Sequence, residues 1–137
     1  MSTGADTTIF ALLDAAHALE NRLEAALNRA GLSTPKYSLL TALVASQDPL
    51  SLSELAGTLS CVRSNMTQLV DRLEAEGLVK RVDDPADRRV VKAAITNEGR
   101  RKQEAGAHEI EALHREFAAG VDPADRAAFQ RLLTVLK

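Results

Sequence analysis

With 137 residues, 45% of them apolar and 26% charged, the chain has the size and balance of one globular domain with helical extensions at its ends. Aromatics make up 3% and tryptophan is absent, which argues against ring-lined carbohydrate sites and single-strand nucleic-acid platforms; one cysteine excludes an internal disulfide and a cysteine-rich zinc centre. The net charge of −2 conceals a basic middle, because residues 51–103 carry ten Lys/Arg against eight Asp/Glu, whereas the flanks are acidic at three against five and four against six.

In chain order, residues 7–30 read as a helix. Ile9, Leu12, Leu13, Ala16, Leu19, Leu23, Leu27 and Ala30 fall within an arc of about 140°. Asp6 or Thr7 is the expected cap and Gly31 the stop. Ser33-Thr34-Pro35 opens a second helix carrying Leu39, Leu40, Leu43 and Val44, which fades at Gln47-Asp48-Pro49. Ser51 and Glu54 have capping-box spacing and start a short third helix with Leu52, Leu55, Ala56 and Leu59 inside. After a break at Ser60-Cys61, a fourth helix covers about 62–76 and ends at Gly77.

The period then changes. Leu78–Val82 and Val90–Ile95 are short and rich in β-branched residues, as strands are, and the polar run Asp83–Arg89 between them predicts a hairpin with a longer loop. Thr96 caps a further helix to about Ala119, Gly120 breaks it, and Asp122-Pro123 starts a last helix striped with Phe129, Leu132, Leu133 and Leu136. No apolar run approaches the roughly 18–20 residues of a membrane span and no leader is visible, which points to a cytoplasmic protein.

The predicted fold is mainly α with a small β-hairpin wing: a winged helix-turn-helix with terminal helices on either side. In such a fold the second helix of the helix-turn-helix enters the DNA major groove. On residues 62–76, Val62, Met66, Leu69, Val70 and Leu73 share one face. Opposite them lie Ser64 and Gln68, with Thr67 and Asp71 beside them and Arg63 and Arg72 flanking. Hydroxyl, amide and guanidinium groups are the types that bond base edges and phosphates. Any solvated amphipathic helix also has a polar outer face; the position between a short capped helix and a hairpin is what favours DNA. Asp71 is out of place near phosphates and needs a partner.

Residues 51–103 resemble the MarR family of bacterial transcriptional regulators. The matching stretches are Leu52-Ser53-Glu54-Leu55-Ala56, Leu69-Val70-Asp71-Arg72-Leu73-Glu74, Gly77-Leu78-Val79, Asp84-Pro85-Ala86-Asp87-Arg88-Arg89 and Ile95-Thr96-Asn97-Glu98-Gly99-Arg100. The flanking helices and the chain length fit as well. The resemblance implies a homodimer interlocked through terminal helices, a double-stranded inverted-repeat operator, and a repressor or activator released by a small-molecule effector, an oxidant or a metal. It implies that residues 33–96 form the DNA-binding lobe and that 7–30 and 97–137 form dimerisation helices. It assigns Arg89 to the minor groove, Asp87 to holding it and Arg88 to phosphate, with Arg63, Ser64, Thr67, Gln68 and Arg72 as recognition-helix contacts. Two positions depart from the family pattern. Val62 stands where Ser, Thr or Asp commonly caps the helix, leaving Ser60 as the alternative cap. Gln68 stands where a basic residue is frequent, which implies a different base preference.

Sensor sites are less distinct. Cys61 near the helix start reads as a small inert core thiol, with a redox-sensing thiol as the alternative. His17 and Tyr37 are candidate effector contacts between the terminal helices and the lobe; ordinary interface residues fit the same positions. His108 and His114 are six apart, about 120° around a helix, so they do not make an i,i+4 ligand pair, and neither a metal nor a cofactor is expected. A winged-helix protein-interaction module without DNA binding is the competing class. An enzyme finds little support, for there is no Gly-rich phosphate loop, metal-ligand motif or nucleophile–base pair.

Overall fold

A computed structural model describes residues 3–59 and 63–137. Helix α1 (Thr3–Arg29) begins a turn before the Asp6–Thr7 start expected from capping residues; a first turn without proline extends at little cost. Helix α2 (Thr34–Ser46) starts where Ser33 Oγ accepts the Lys36 N–H, with Pro35 in the first turn, and stops at Gln47, which is left-handed at φ 64°. The Glu24 carboxylate of α1 also accepts the Thr34 hydroxyl (2.7 Å) and N–H (3.4 Å), so α2 is capped from a neighbouring helix.

A two-residue strand, β1 (Leu50–Ser51), comes next, and nothing in the local sequence marks it. Helix α3 (Leu52–Thr58) follows with the expected capping box: Ser51 Oγ accepts the Glu54 N–H at 3.1 Å and Glu54 Oε1 accepts the Ser51 N–H at 3.3 Å. Helix α4 (Arg63–Ala75) lies within the expected 62–76. It closes with the Gly77 N–H on the Glu74 carbonyl and the Leu78 N–H on the Leu73 carbonyl, both at 2.9 Å.

Strands β2 (Val79–Asp84) and β3 (Asp87–Ile95) form the hairpin, and β1 pairs the other edge of β3, giving an antiparallel sheet in the order β1-β3-β2. The expected longer loop over 83–89 is corrected here. Pairing runs out to Asp84 opposite Asp87, and only Pro85 and Ala86 turn. Asp84 makes the tight turn workable by accepting the Ala86 N–H on Oδ1 at 2.9 Å, a local closure that competes well with an open loop. Asp87, Arg88 and Arg89 are therefore strand residues.

Helix α5 (Asn97–Ala119) starts on Thr96, whose Oγ1 accepts the Gly99 N–H at 3.0 Å and donates to the Gly77 carbonyl at 2.7 Å. Gly99 itself is required by close approach, since a Cβ there would stand 2.1 Å from the Leu78 carbonyl oxygen. Helix α6 (Pro123–Val135) is capped by Asp122.

The buried core lies in the lobe. Leu39, Leu40 and Leu43 of α2, Leu55 of α3, Met66, Val70 and Leu73 of α4, and Leu78, Val79 and Ala93 at the sheet pack together, joined by Leu27 of α1. Burying each of the larger side chains is worth about 1.5–3 kcal/mol, which fixes which face of α4 points inward. The terminal helices are different. Ile9, Phe10, Leu12 and Leu13 on α1, Leu132 and Val135 on α6, and Leu136 at its C-cap are exposed, Phe10 by 68% and Val135 by 81%. Among the described residues, no helix is long and apolar enough to cross a membrane.

Candidate nucleic-acid interface

Helix α4 has two faces set by its packing. With Met66, Val70 and Leu73 fully buried, Asn65, Thr67, Gln68, Asp71 and Arg72 are turned out and exposed. Arg63 and Ser64 are the first two residues of α4; their side chains lie outside the described residues, as do Ser60, Cys61 and Val62 altogether. Of the recognition contacts expected from sequence, the helix thus brings Thr67, Gln68 and Arg72 onto its outer surface.

The wing is a second, separate element. Asp87 accepts from Arg89 three times: Oδ1 takes the backbone N–H (3.0 Å) and Nε (3.2 Å), and Oδ2 takes Nη2 (3.3 Å). These bonds, first from the Arg89 side chain and then from its backbone, hold the Asp87 carboxyl below the usual carboxylate range. The Arg89 side chain nevertheless remains 90% exposed, so the pairing aims the guanidinium and leaves it available. Arg88 beside it is exposed. Lys92 reaches Asp84 across the hairpin at 3.8 Å.

Asp71 does have a partner, and it comes from outside the helix. Arg81 of β2 donates Nη2 to Asp71 Oδ1, Nη1 to Glu74 Oε1 at 2.6 Å, and its backbone N–H to Glu74 Oε2 at 3.1 Å. The guanidinium is held above its ordinary pKa, mainly by the Asp71 hydrogen bond and against the cost of burial. The only signal of this contact in the sequence is an acid on a face otherwise suited to phosphates; the two partners lie ten positions apart.

The two candidate effector contacts are not brought together in one place. His17 is exposed on α1 and its Nδ1 bonds the Leu13 carbonyl one turn back at 2.8 Å. Tyr37 is half-buried in the seam between α2 and α5, against Gly106, where a Cβ would stand 2.8 Å from the ring. Elsewhere, α1, α5 and α6 enclose an open apolar groove of about 350 Å³ that includes Leu23, Ile110, Phe117, Phe129 and Leu133, with His114 at its side. Phe117 and Phe129 meet in it with ring centroids 5.9 Å apart. Neither His17 nor Tyr37 lines this groove. Among the described residues no group of three or more His, Cys, Asp or Glu is placed to hold a metal ion.

Residues 32–91 match the family model of the MarR family. The HTH-type transcriptional regulator PrsX of Escherichia coli is 35% identical over 82 residues, 59% of this chain and 49% of PrsX. The chain spans about half the length of the curated relatives it matches. Among solved structures, a MarR-family transcriptional regulator from Rhodococcus sp. RHA1 superposes with a TM-score of 0.79 at 26% identity, covering 99% of this chain and 96% of that one. CouR from Rhodococcus jostii RHA1, solved bound to p-coumaroyl-CoA, superposes with a TM-score of 0.77 at 28% identity, covering 98% and 95%.

Proposed function

We propose, from the match of residues 32–91 to the MarR family model and the likeness to MarR-family structures, that the chain is a MarR-family DNA-binding transcriptional repressor that acts as a homodimer on an inverted-repeat operator. The observation that carries this reading is the pairing of two exposed elements of different kinds: the polar outer face of α4 and the Arg89 guanidinium aimed by Asp87. A helix in the major groove reads base edges, while an arginine in the minor groove reads width and potential. Arg63, Ser64, Thr67, Gln68 and Arg72 take the first role, with Arg88 and Arg89 on phosphate and minor groove. Residues 33–96 then form the DNA-binding lobe.

The dimer reading rests on the terminal helices, 7–30 and 97–137. Ile9, Phe10, Leu132, Val135 and Leu136 are large apolar side chains left exposed on α1 and at the end of α6, and a second copy of the chain would cover them. A twofold dimer through these helices is the commonest way to cover such a surface, and it sets two α4 helices one DNA turn apart.

Effector release is the third part of the proposal. CouR, a relative by structure, was solved with a coenzyme A thioester bound. In this chain Tyr37, at the seam of α2 and α5, is assigned as a contact through which a small molecule shifts the lobe against α5. His17, exposed on α1, is assigned as a second and separate contact. Selection of duplexes from random DNA, followed by a release screen on the enriched site, tests the whole reading. Enrichment of an inverted repeat with steep salt dependence supports it; salt-insensitive binding, or none, favours a protein-interaction module.

A further inference from the structure

Gln68, Asp71 and Glu74 are spaced three apart, each about 60° further round α4, so they run from its outer face to the flank beside β2. All three are exposed. Two carboxylates on a helix that approaches a phosphate backbone repel it, and the repulsion grows as water is squeezed out. Arg81 answers both charges at once. Its two terminal nitrogens take one carboxylate each and its backbone N–H takes a second oxygen of Glu74. Arg81 lies on β2, an edge strand of the sheet, and stands opposite Ala93, which is fully buried. The cation is thus delivered from a rigid base, and its side chain is only 29% exposed against 59% for Asp71 and 40% for Glu74. With both terminal nitrogens taken by Asp71 and Glu74, the guanidinium faces the acids rather than an approaching duplex.

We propose that Arg81 is a positioning residue for DNA binding: it masks Asp71 and Glu74, so that the outer face carrying Gln68 can seat against the duplex, and it does so without itself contacting phosphate. The proposal rests on the reading of α4 as the DNA-facing helix. It also accounts for how an acidic residue is accommodated on that face. Lysine in place of Arg81 answers one carboxylate and leaves the other bare, because a single ammonium lacks the forked geometry.

The test uses the full chain and the duplex that the wild-type protein enriches from a random pool. Arg81→Met should bind that duplex about tenfold or more weakly, which corresponds to the scale of one or two uncompensated charges near phosphate. Adding Asp71→Asn and Glu74→Gln to Arg81→Met should restore most of the lost affinity, although the triple variant has no cation at position 81. The gain from Asp71→Asn and Glu74→Gln should be far larger in the Arg81→Met background than beside an intact Arg81; an equal gain in both backgrounds means that Arg81 does not mask the acids and overturns the proposal. Should Arg81→Met prove unfolded in a thermal melt, Arg81→Lys serves instead, with several-fold weaker binding that Glu74→Gln restores. Unchanged binding by the folded single variant overturns the proposal. So does failure of the neutralised variants to recover affinity. A wild-type protein that enriches no duplex defeats the underlying DNA reading, a different and recognisable result.

Discussion

Asp87 holds Arg89 by backbone and side chain together, three hydrogen bonds from one residue two positions away on the same strand. The arrangement fixes the direction of the guanidinium before any partner arrives, and pre-ordering of this kind lowers the cost of binding. Asp87→Ala should therefore weaken duplex binding while leaving the number of phosphate charges neutralised nearly constant, whereas Arg89→Ala should weaken it and lower the salt slope by about one phosphate equivalent. Affinity measured for both variants across several salt concentrations checks this; full affinity in Arg89→Ala removes the wing from the interface.

The same pair carries a pH signature. Arg89 lowers the Asp87 carboxyl in the folded state, so the contribution of the pair is fully present above the ordinary carboxylate pKa and is lost as pH falls through the lowered one. Near neutrality the wing should be indifferent to pH. A carboxyl titration followed by NMR should give Asp87 a midpoint below ordinary aspartates, moving up in Arg89→Ala. An unmoved midpoint shows that the pair does not persist in solution.

Gln68 should behave unlike the arginines. It is neutral and exposed on the outer face of α4. Gln68→Ala should keep the salt slope and cost about 1–3 kcal/mol at one base position per half-site, as expected for loss of a bidentate contact to adenine. A panel of single-base duplex variants measures this, and equal weakening on every duplex assigns Gln68 no reading role.

Gly99 gives a prediction about the fold alone. A methyl group there meets the Leu78 carbonyl oxygen, a backbone atom at the junction of α4 and β2 that cannot swing aside. Gly99→Ala should destabilise the protein by about 1–3 kcal/mol in chemical denaturation, as overpacking does. A stability equal to that of wild type shows that α5 can shift away from the sheet freely.

The terminal helices supply the assembly prediction. Phe10 is 68% exposed on α1 and Val135 81% exposed on α6. Phe10→Glu combined with Val135→Glu should convert a micromolar dimer into a folded monomer in sedimentation. A wild-type protein that sediments as a monomer at that concentration contradicts the dimer outright.

Helix boundaries were legible because caps and stripes are local: Ser33, Ser51, Thr96 and Asp122 each cap the helix their positions announce. The two exposed faces of the candidate site were legible for the same reason, since a buried Met66–Val70–Leu73 stripe fixes where Thr67, Gln68 and Arg72 point. Features that depend on partners far along the chain were not. Strand β1 exists only because Leu50 and Ser51 lie beside Ala93 and Lys92, and two residues show no period. The polar run at the wing looked like a loop because Asp, Pro and Arg favour turns; the cross-strand pairing and the Asp84 side chain shortened it to two residues. The partner of Asp71 was invisible until β2 folded back along α4 and brought Arg81 to it.

The most direct test of the central claim is the enrichment of duplexes from a random pool by the wild-type chain. The account predicts an inverted repeat with half-site centres about 10–10.5 bp apart, or a multiple of that spacing, and binding of the intact repeat far tighter than of one half-site. Equal affinity for the repeat and for an isolated half-site, or no enrichment at any salt concentration, contradicts it.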